Sequence, residues 1–302
     1  MTVVTLCNSA PVVGIMAAGA PGPVENFKAG MRDCGFIEGQ TVRYEQRVAH
    51  GDPDRLFGFA RELVRTSVDL IVVVGAVTAR AAREATKDVP IVYAVVVDPI
   101  SGGLATVSGQ RPGNMTGITT YDPDQARMHT ALLQSVKPDL ARIALLADSG
   151  VSDCLAQANV RAAQEAGVRP QVVRIAGPEP DLIGAFGAMQ REEADALVVL
   201  EHPINGANAA RIAELALARR LPTVLARAQA DAGGLFAYGT NLRDAAYQMA
   251  RYATGILRGA QPSDLPVETF HRPELVVNLR TGQSLGLTVS PHIVSRAVRV
   301  IV

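Results

Sequence analysis

The sequence predicts an α/β fold made of two doubly wound parallel-sheet lobes joined by a multi-strand hinge. Three observations predict it. Short β-branched runs alternate with amphipathic helical stretches from residue 12 onward. That alternation halts near residue 97 and restarts near residue 123, so two sets follow one another. The length, 302 residues, suits two lobes or one large α/β domain better than one small core or three domains.

Each element has its own signal. Residues 12–16 read as a buried strand, followed by a Gly/Pro loop from 17 to 23 and a helix to about Cys34. Residues 41–48 form a second strand, and 52–65 a helix with Asp52 as its N-cap. Residues 70–74 are apolar throughout, as a parallel strand covered on both faces should be. A helix to Thr86 and a strand over 91–97 close the first set. The second set reads helix 123–135, strand 142–147, helix 152–166, strand 171–175, helix 181–191, strand 196–200, helix 207–219 and strand 223–225. A further long helix, 243–258, returns to the first lobe. The expected lobes are residues 11–119 with 240–268, and 120–239 with 269–302, with a ligand cleft between them. Hinge crossings are expected near 117–121, 238–241 and 266–270.

Composition excludes several classes. Lys+Arg and Asp+Glu balance at 29 each, so no basic surplus is left to neutralise phosphates, and no nucleic-acid partner is expected. Aromatics are 4% and Trp is absent, which argues against a base-stacking platform. Cys7, Cys34 and Cys154 lack metal spacing and read as small buried residues without a disulfide. No apolar run reaches the ~18 residues of a membrane span, and residues 1–7 have neither the basic nor the long apolar region of a signal peptide. The sequence shows no G-x-G-x-x-G after a strand, no P-loop, no H-E-x-x-H and no G-x-S-x-G. The prolines in the turn Gly19-Ala20-Pro21-Gly22-Pro23 remove donors that a pyrophosphate would need. No catalytic residue, metal or cofactor is expected. Of the five histidines, His202 alone is a pocket candidate by position; His50, His129, His271 and His292 read as surface or loop residues.

Several stretches, in order, carry a family resemblance. They are GFIEGQTV at 35–42, VPIVY at 89–93 running into DPI at 98–100, RPGNMTG at 111–117, AGGLFAYG at 232–239, ILRGAQPSDLPV at 256–267 and ELVVNL at 274–279. Together they resemble the ABC-transporter substrate-binding proteins related to bacterial tryptophan/tyrosine-binding lipoproteins, with a type I periplasmic-binding fold. The resemblance implies an extracytoplasmic receptor; with residues 1–7 as they are, either its export signal is absent from this chain or the protein stays inside. It also implies partnership with a permease and an ATPase, and a ligand such as an aromatic amino acid or other small carboxylate; a monomer is expected.

Ligand-binding candidates follow from position and chemistry. Gly75, Ala76 and Thr78 follow the third strand and open a helix, so their free N–H groups suit a carboxylate, with simple N-capping as the other reading. Asp98 either accepts an ammonium or fixes the loop before Pro99. Thr119, Tyr121 and Asn241 lie near the hinge, whereas Asn114 and Thr116 read as stabilising the interlobe turn. Tyr238 offers a flat face and a hydroxyl at a cleft edge, or packs under the hinge. The chain departs from the family pattern at Gly19 and Ala20 in the first loop, at Asp148 and Ser149 after the Leu146 strand, and at Glu201 and His202 after Leu200. Asp148 and Glu201 add acidity, which favours a cationic or hydroxyl-rich ligand end; polyol, nucleoside and amino acid all fit. Two other readings compete: a ligand-sensing protein serving a regulator or sensor kinase, and a two-lobed enzyme using Cys154. Only about ten residues precede Pro11, which leaves no room for a helix-turn-helix, and Cys154 lacks an evident His partner.

Overall fold

The computed structural model describes residues 10–19, 22–50, 52, 54–95, 104, 113–122, 124–148, 153–177 and 179–302. The chain runs β1 (Val12–Ala17), α1 (Gly22–Asp33), β2 (Arg43–Val48), α2 (Arg55–Arg65), β3 (Leu70–Val74), α3 (Ala76–Ala85), β4 (Ile91–Val95) and β5 (Met115–Thr119). It continues through α4 (Gln125–Val136), β6 (Arg142–Asp148), α5 (Asp153–Glu165), β7 (Arg169–Ile175), α6 (Leu182–Arg191), β8 (Ala196–Val199), α7 (Pro203–Ala207), α8 (Ala209–Ala218), β9 (Thr223–Ala226) and β10 (Phe236–Thr240). α9 (Leu242–Leu257), β11 (Glu268–Thr269), β12 (Pro273–Asn278), α10 (Leu279–Leu285), α11 (Pro291–Ser295) and β13 (Arg299–Ile301) complete it.

These elements form two compact units. The first holds Met1–Ala49, Pro53–Thr119 and Leu242–Thr269; the second holds His50–Asp52, Thr120–Asn241 and Phe270–Val302. In the first unit the strand order is β2-β1-β3-β4-β5-β11, all pairs parallel. In the second it is β7-β6-β8-β9-β10-β12-β13. The shared 2-1-3-4-5 core is a doubly wound order, with helices carrying the chain over both faces. One departure from an all-parallel sheet stands out: β12 runs antiparallel to β10.

The internal duplication extends to a local device. In the first unit Asp69, just before β3, accepts the Val12 amide at 2.7 Å and returns its own amide to the Val12 carbonyl at 2.8 Å. In the second, Asp195, just before β8, accepts the Arg142 amide at 2.9 Å and returns its amide to Arg142 at 2.9 Å. Each aspartate ties the first and third strands of its sheet together at their starts.

Burial follows the strand period. Alternate residues of β6 feed different cores: Ile143 and Leu145 pack with Leu132 and Leu133 of α4, while Ala144 and Leu146 pack with Phe186 of α6 and Ile212 of α8. The first unit encloses Met16, Leu56, Ile71 and Tyr93. Each such fully buried large side chain contributes roughly 1.5–3 kcal/mol. α9 returns to the first unit, packing on α1 and on β3, β4 and β5. Gly30 permits that approach, because a Cβ there would stand 2.6 Å from the Tyr247 carbonyl oxygen.

Three local expectations change. α2 begins at Arg55, with Asp54 rather than Asp52 at the N-cap position and no side-chain cap bond. The helix expected over 207–219 is α8, and a short α7 opened by Pro203, not expected, precedes it. Residues 115–119 and 236–240 are buried strands rather than hinge segments alone. Asn114 donates to the Val89 carbonyl at 2.9 Å, and Thr116 to that of Leu265 at 2.9 Å, so both hold the first unit together.

Candidate functional site

In a doubly wound sheet the ligand crevice lies outside the carboxyl ends of the strands, where the strand order reverses. Each unit has such a switch point, between β1 and β3 in the first and between β6 and β8 in the second.

In the first unit β1 ends at Ala17 and continues through buried Ala18 to Gly19, around whose Cα there is open space. β3 ends at Val74, and Gly75 turns the chain into α3 with φ 99° and ψ 148°, a conformation that strains any residue with a Cβ. Gly75 donates to the Ala94 carbonyl at 2.8 Å and accepts from Ala79 at 3.0 Å. As N-cap it has no side chain to offer, so the amides of Ala76, Val77 and Thr78 lack intrahelical acceptors. Thr78 is fully buried, and its Oγ1 has no hydrogen-bond partner. A Cβ on Gly75 would lie 3.7 Å from that hydroxyl, which places Oγ1 beside the cap position. Free amides, the positive end of the helix dipole and an unsatisfied hydroxyl together suit an anionic oxygen.

In the second unit Leu146 of β6 pairs opposite Val199 of β8, so the residues beyond them meet at the sheet's carboxyl edge. His202 Nδ1 hydrogen-bonds Asp148 Oδ2, with the two side chains only 9% and 1% exposed. A carboxylate can only accept, so Nδ1 carries the proton and the bond fixes the ring. Nε2 is buried and has no partner. Asn205, fully buried in α7, donates to the carbonyls of Leu146 at 3.1 Å and Leu200 at 2.7 Å, clamping both strand ends. Its Oδ1 is buried without a partner as well. Burial pushes the half-buried Glu201 carboxyl up to about 7.

The structure therefore gathers Gly19, Gly75, Ala76 and Thr78 at one switch point, and Asp148, Glu201 and His202 at the other. Asn205 was missed by sequence reading; Pro203 at the first position of a helix was the signal that a new element starts there. Thr119 ends β5, buried opposite Thr269, while Tyr121 and Asn241 are half-buried near the points where the chain passes from one unit to the other. Tyr238, expected to show a flat face at a cleft edge, is instead 9% exposed and built into the core, with its ring 6.0 Å from His129 in an edge-on arrangement. Burial first, and the Asp122 carboxylate second, raise its phenol above the ordinary range. His129, expected at the surface, is buried and bonds Asn159 through Nδ1 at 3.2 Å. Ala20, Asp98 and Ser149 lie outside the described residues, as does the side chain of Cys154. Cys34 is a free cysteine, partly buried. Among the described residues no helix is long and apolar enough to cross a membrane.

Two doubly wound units in one chain, each with unpartnered polar groups at its switch point, define the class of two-lobed solute-binding folds. Residues 19–301 match the ABC transporter substrate binding protein family, and the chain belongs to it. A curated relative, the tyrosine-binding protein of Clostridioides difficile (strain R20291), is 22% identical over 273 residues, covering 87% of this chain and 76% of the relative. Among solved structures, a conserved domain protein from Vibrio cholerae O1 biovar El Tor is 23% identical, with TM-score 0.89 over 97% of this chain and 100% of that one. An ABC domain from Streptococcus pneumonia in complex with L-Trp is 22% identical, with TM-score 0.88 over the same shares. These likenesses show the type I periplasmic-binding fold.

Proposed function

We propose that this protein is the receptor of an ABC importer, capturing a small carboxylate or amino-acid-like ligand by closure of its two units about the three chain crossings. The loaded receptor then docks on a permease and its ATPase. In this reading the chain works outside the cytoplasm as a monomer and does no chemistry on its ligand. The observation that carries it is the open N-terminus of α3, with the buried, unpartnered Thr78 hydroxyl beside Gly75. The helix end contributes roughly half a positive charge there. The tyrosine- and tryptophan-binding relatives support a ligand bearing a free carboxylate.

A thermal-shift screen against amino acids, purines, polyols and small carboxylates tests this, since a ligand at one hundred times its dissociation constant stabilises the fold by about 2.7 kcal/mol. Carboxylate-bearing hits are expected. Thr78→Val keeps the shape and removes Oγ1, so the unliganded fold should melt no lower than wild type. Affinity for the hits should fall about five- to tenfold, the worth of one hydrogen bond. Unchanged affinity would remove the carboxylate from α3.

A further inference from the structure

The second unit holds polar groups whose arrangement the fold alone does not explain. At the switch point of the first unit, the start of α3 leaves Thr78 Oγ1 buried and unpartnered; at that of the second, the segment between β8 and α7 does the same with His202 Nε2. A buried polar atom without a partner costs about 1–3 kcal/mol, and native structures keep few of them. A histidine placed only to bind Asp148 would lose nothing by pointing Nε2 at solvent. Here the side chain is nine-tenths buried, and Asp148, itself 1% exposed, holds the ring in place.

The direction of that bond decides what Nε2 offers. Because Asp148 accepts from Nδ1–H, the neutral ring presents a lone pair at Nε2. Asn205 Oδ1, three residues on, is also an acceptor, buried and unpartnered, because both strand-end carbonyls occupy its amide group. Glu201, adjacent in sequence, adds a carboxyl group. The second unit thus offers acceptors, whereas the first offers donors at α3.

We propose that the Asp148–His202 pair is the specificity-determining element of the second unit, selecting ligands that offer a hydroxyl or ammonium donor to His202 Nε2. This deepens the reading of the protein as a small-carboxylate receptor and rests on it. The ligand class is then a carboxylate that also carries a hydroxyl or amino donor. Asp148 acts as a positioning residue, fixing the tautomer and orientation of the ring.

Matched pairs that differ by one donor separate the two claims. The probes are 4-hydroxybutyrate and butyrate, L-homoserine and L-2-aminobutyrate, L-lysine and L-norleucine, and L-tyrosine and L-phenylalanine. Each is titrated calorimetrically into wild type, His202→Phe and His202→Gln, with thermal melting as the check on folding. In at least one pair the donor-bearing member should bind about tenfold tighter to wild type, since an unmatched buried acceptor costs of order 1 kcal/mol or more. His202→Phe should erase that preference, so that the two members of a pair bind it alike, and His202→Gln, which carries an acceptor oxygen, should restore part of it. If His202→Phe does not melt cooperatively, Asp148→Asn takes its place; it releases the tautomer and should shrink the preference. Equal binding within every pair, or a preference that survives His202→Phe, overturns the assignment of His202. Binding by no member of any pair, in a protein that melts cooperatively, overturns the carboxylate-receptor reading itself and the inference with it.

Discussion

Replacing Gly117 by alanine is expected to destabilise the first unit by more than about 4 kcal/mol, the range reserved for strain or gross overpacking in a core. Gly117 lies in β5, directly opposite Tyr93 of β4, with φ 157°. A Cβ there would stand 2.1 Å from the Tyr93 carbonyl oxygen and 2.7 Å from its nitrogen. Both are backbone atoms of a central strand, so no rotamer change relieves the contact. Strands sit only ~4.8 Å apart in the hydrogen-bonding direction, so β5 must move away and break its ladder. Gly113→Ala is the control, because nothing lies within 4 Å of a Cβ there. Urea unfolding followed by circular dichroism should show Gly113→Ala close to wild type and Gly117→Ala with a much lower midpoint or no cooperative transition. An unchanged midpoint for Gly117→Ala would mean that β4 and β5 do not pair in this register.

The second large effect is a pH dependence of stability centred on Glu201. Burial lifts its carboxyl from the ordinary 4.5 to about 7 in the folded protein. Between those values the folded state holds a proton that the unfolded chain has released. The stabilising contribution is therefore complete below about pH 4.5 and is lost as pH rises through 7. At about 1.4 kcal/mol per unit, the loss by pH 8 amounts to at most roughly 3.5 kcal/mol. Buried His129 acts in the opposite sense, because burial lowers its imidazole from 6.5 and favours the neutral ring as pH rises. Comparison with Glu201→Gln separates the two. The variant should match wild type near pH 4.5 and exceed it at pH 8 by several degrees in Tm. Parallel Tm profiles for the two proteins would show that Glu201 titrates as an ordinary surface acid.

The fold was legible because its signals are local. The all-apolar β3, the alternation restarting near residue 123 and the long amphipathic α9 each follow from periodicity within a single segment. What stayed hidden depends on segments meeting. β12 carries the apolar run Leu275–Val277, yet nothing in it announces antiparallel pairing with β10. Asp54 rather than Asp52 occupies the N-cap position because the helix start is decided by the packing of Leu56 and Ala60, both fully buried.

The candidate site divides along the same line. Gly75 to Thr78 could be read directly, because a glycine between a buried strand and a helix places the free amides by itself. The bond between Asp148 and His202 spans 54 residues of sequence and exists because β6 and β8 are neighbours in the sheet. For Tyr238 the motif alone allowed both a cleft edge and packing under the hinge, and the residue lies at the centre of a buried strand.

A carboxylate held at the open end of α3 can be tested by unfolding the purified protein, removing and identifying by mass spectrometry any molecule it carries, and refolding it. The refolded protein is then titrated calorimetrically with L-tyrosine, L-tryptophan, 4-hydroxybutyrate and any released carboxylate, each beside its primary amide. One-to-one binding of at least one free carboxylate is expected, with its amide weaker by about tenfold or more, because the amide loses the charge the helix end attracts. An amide that binds as tightly as its acid, or a refolded protein that binds none of the acids, would contradict it.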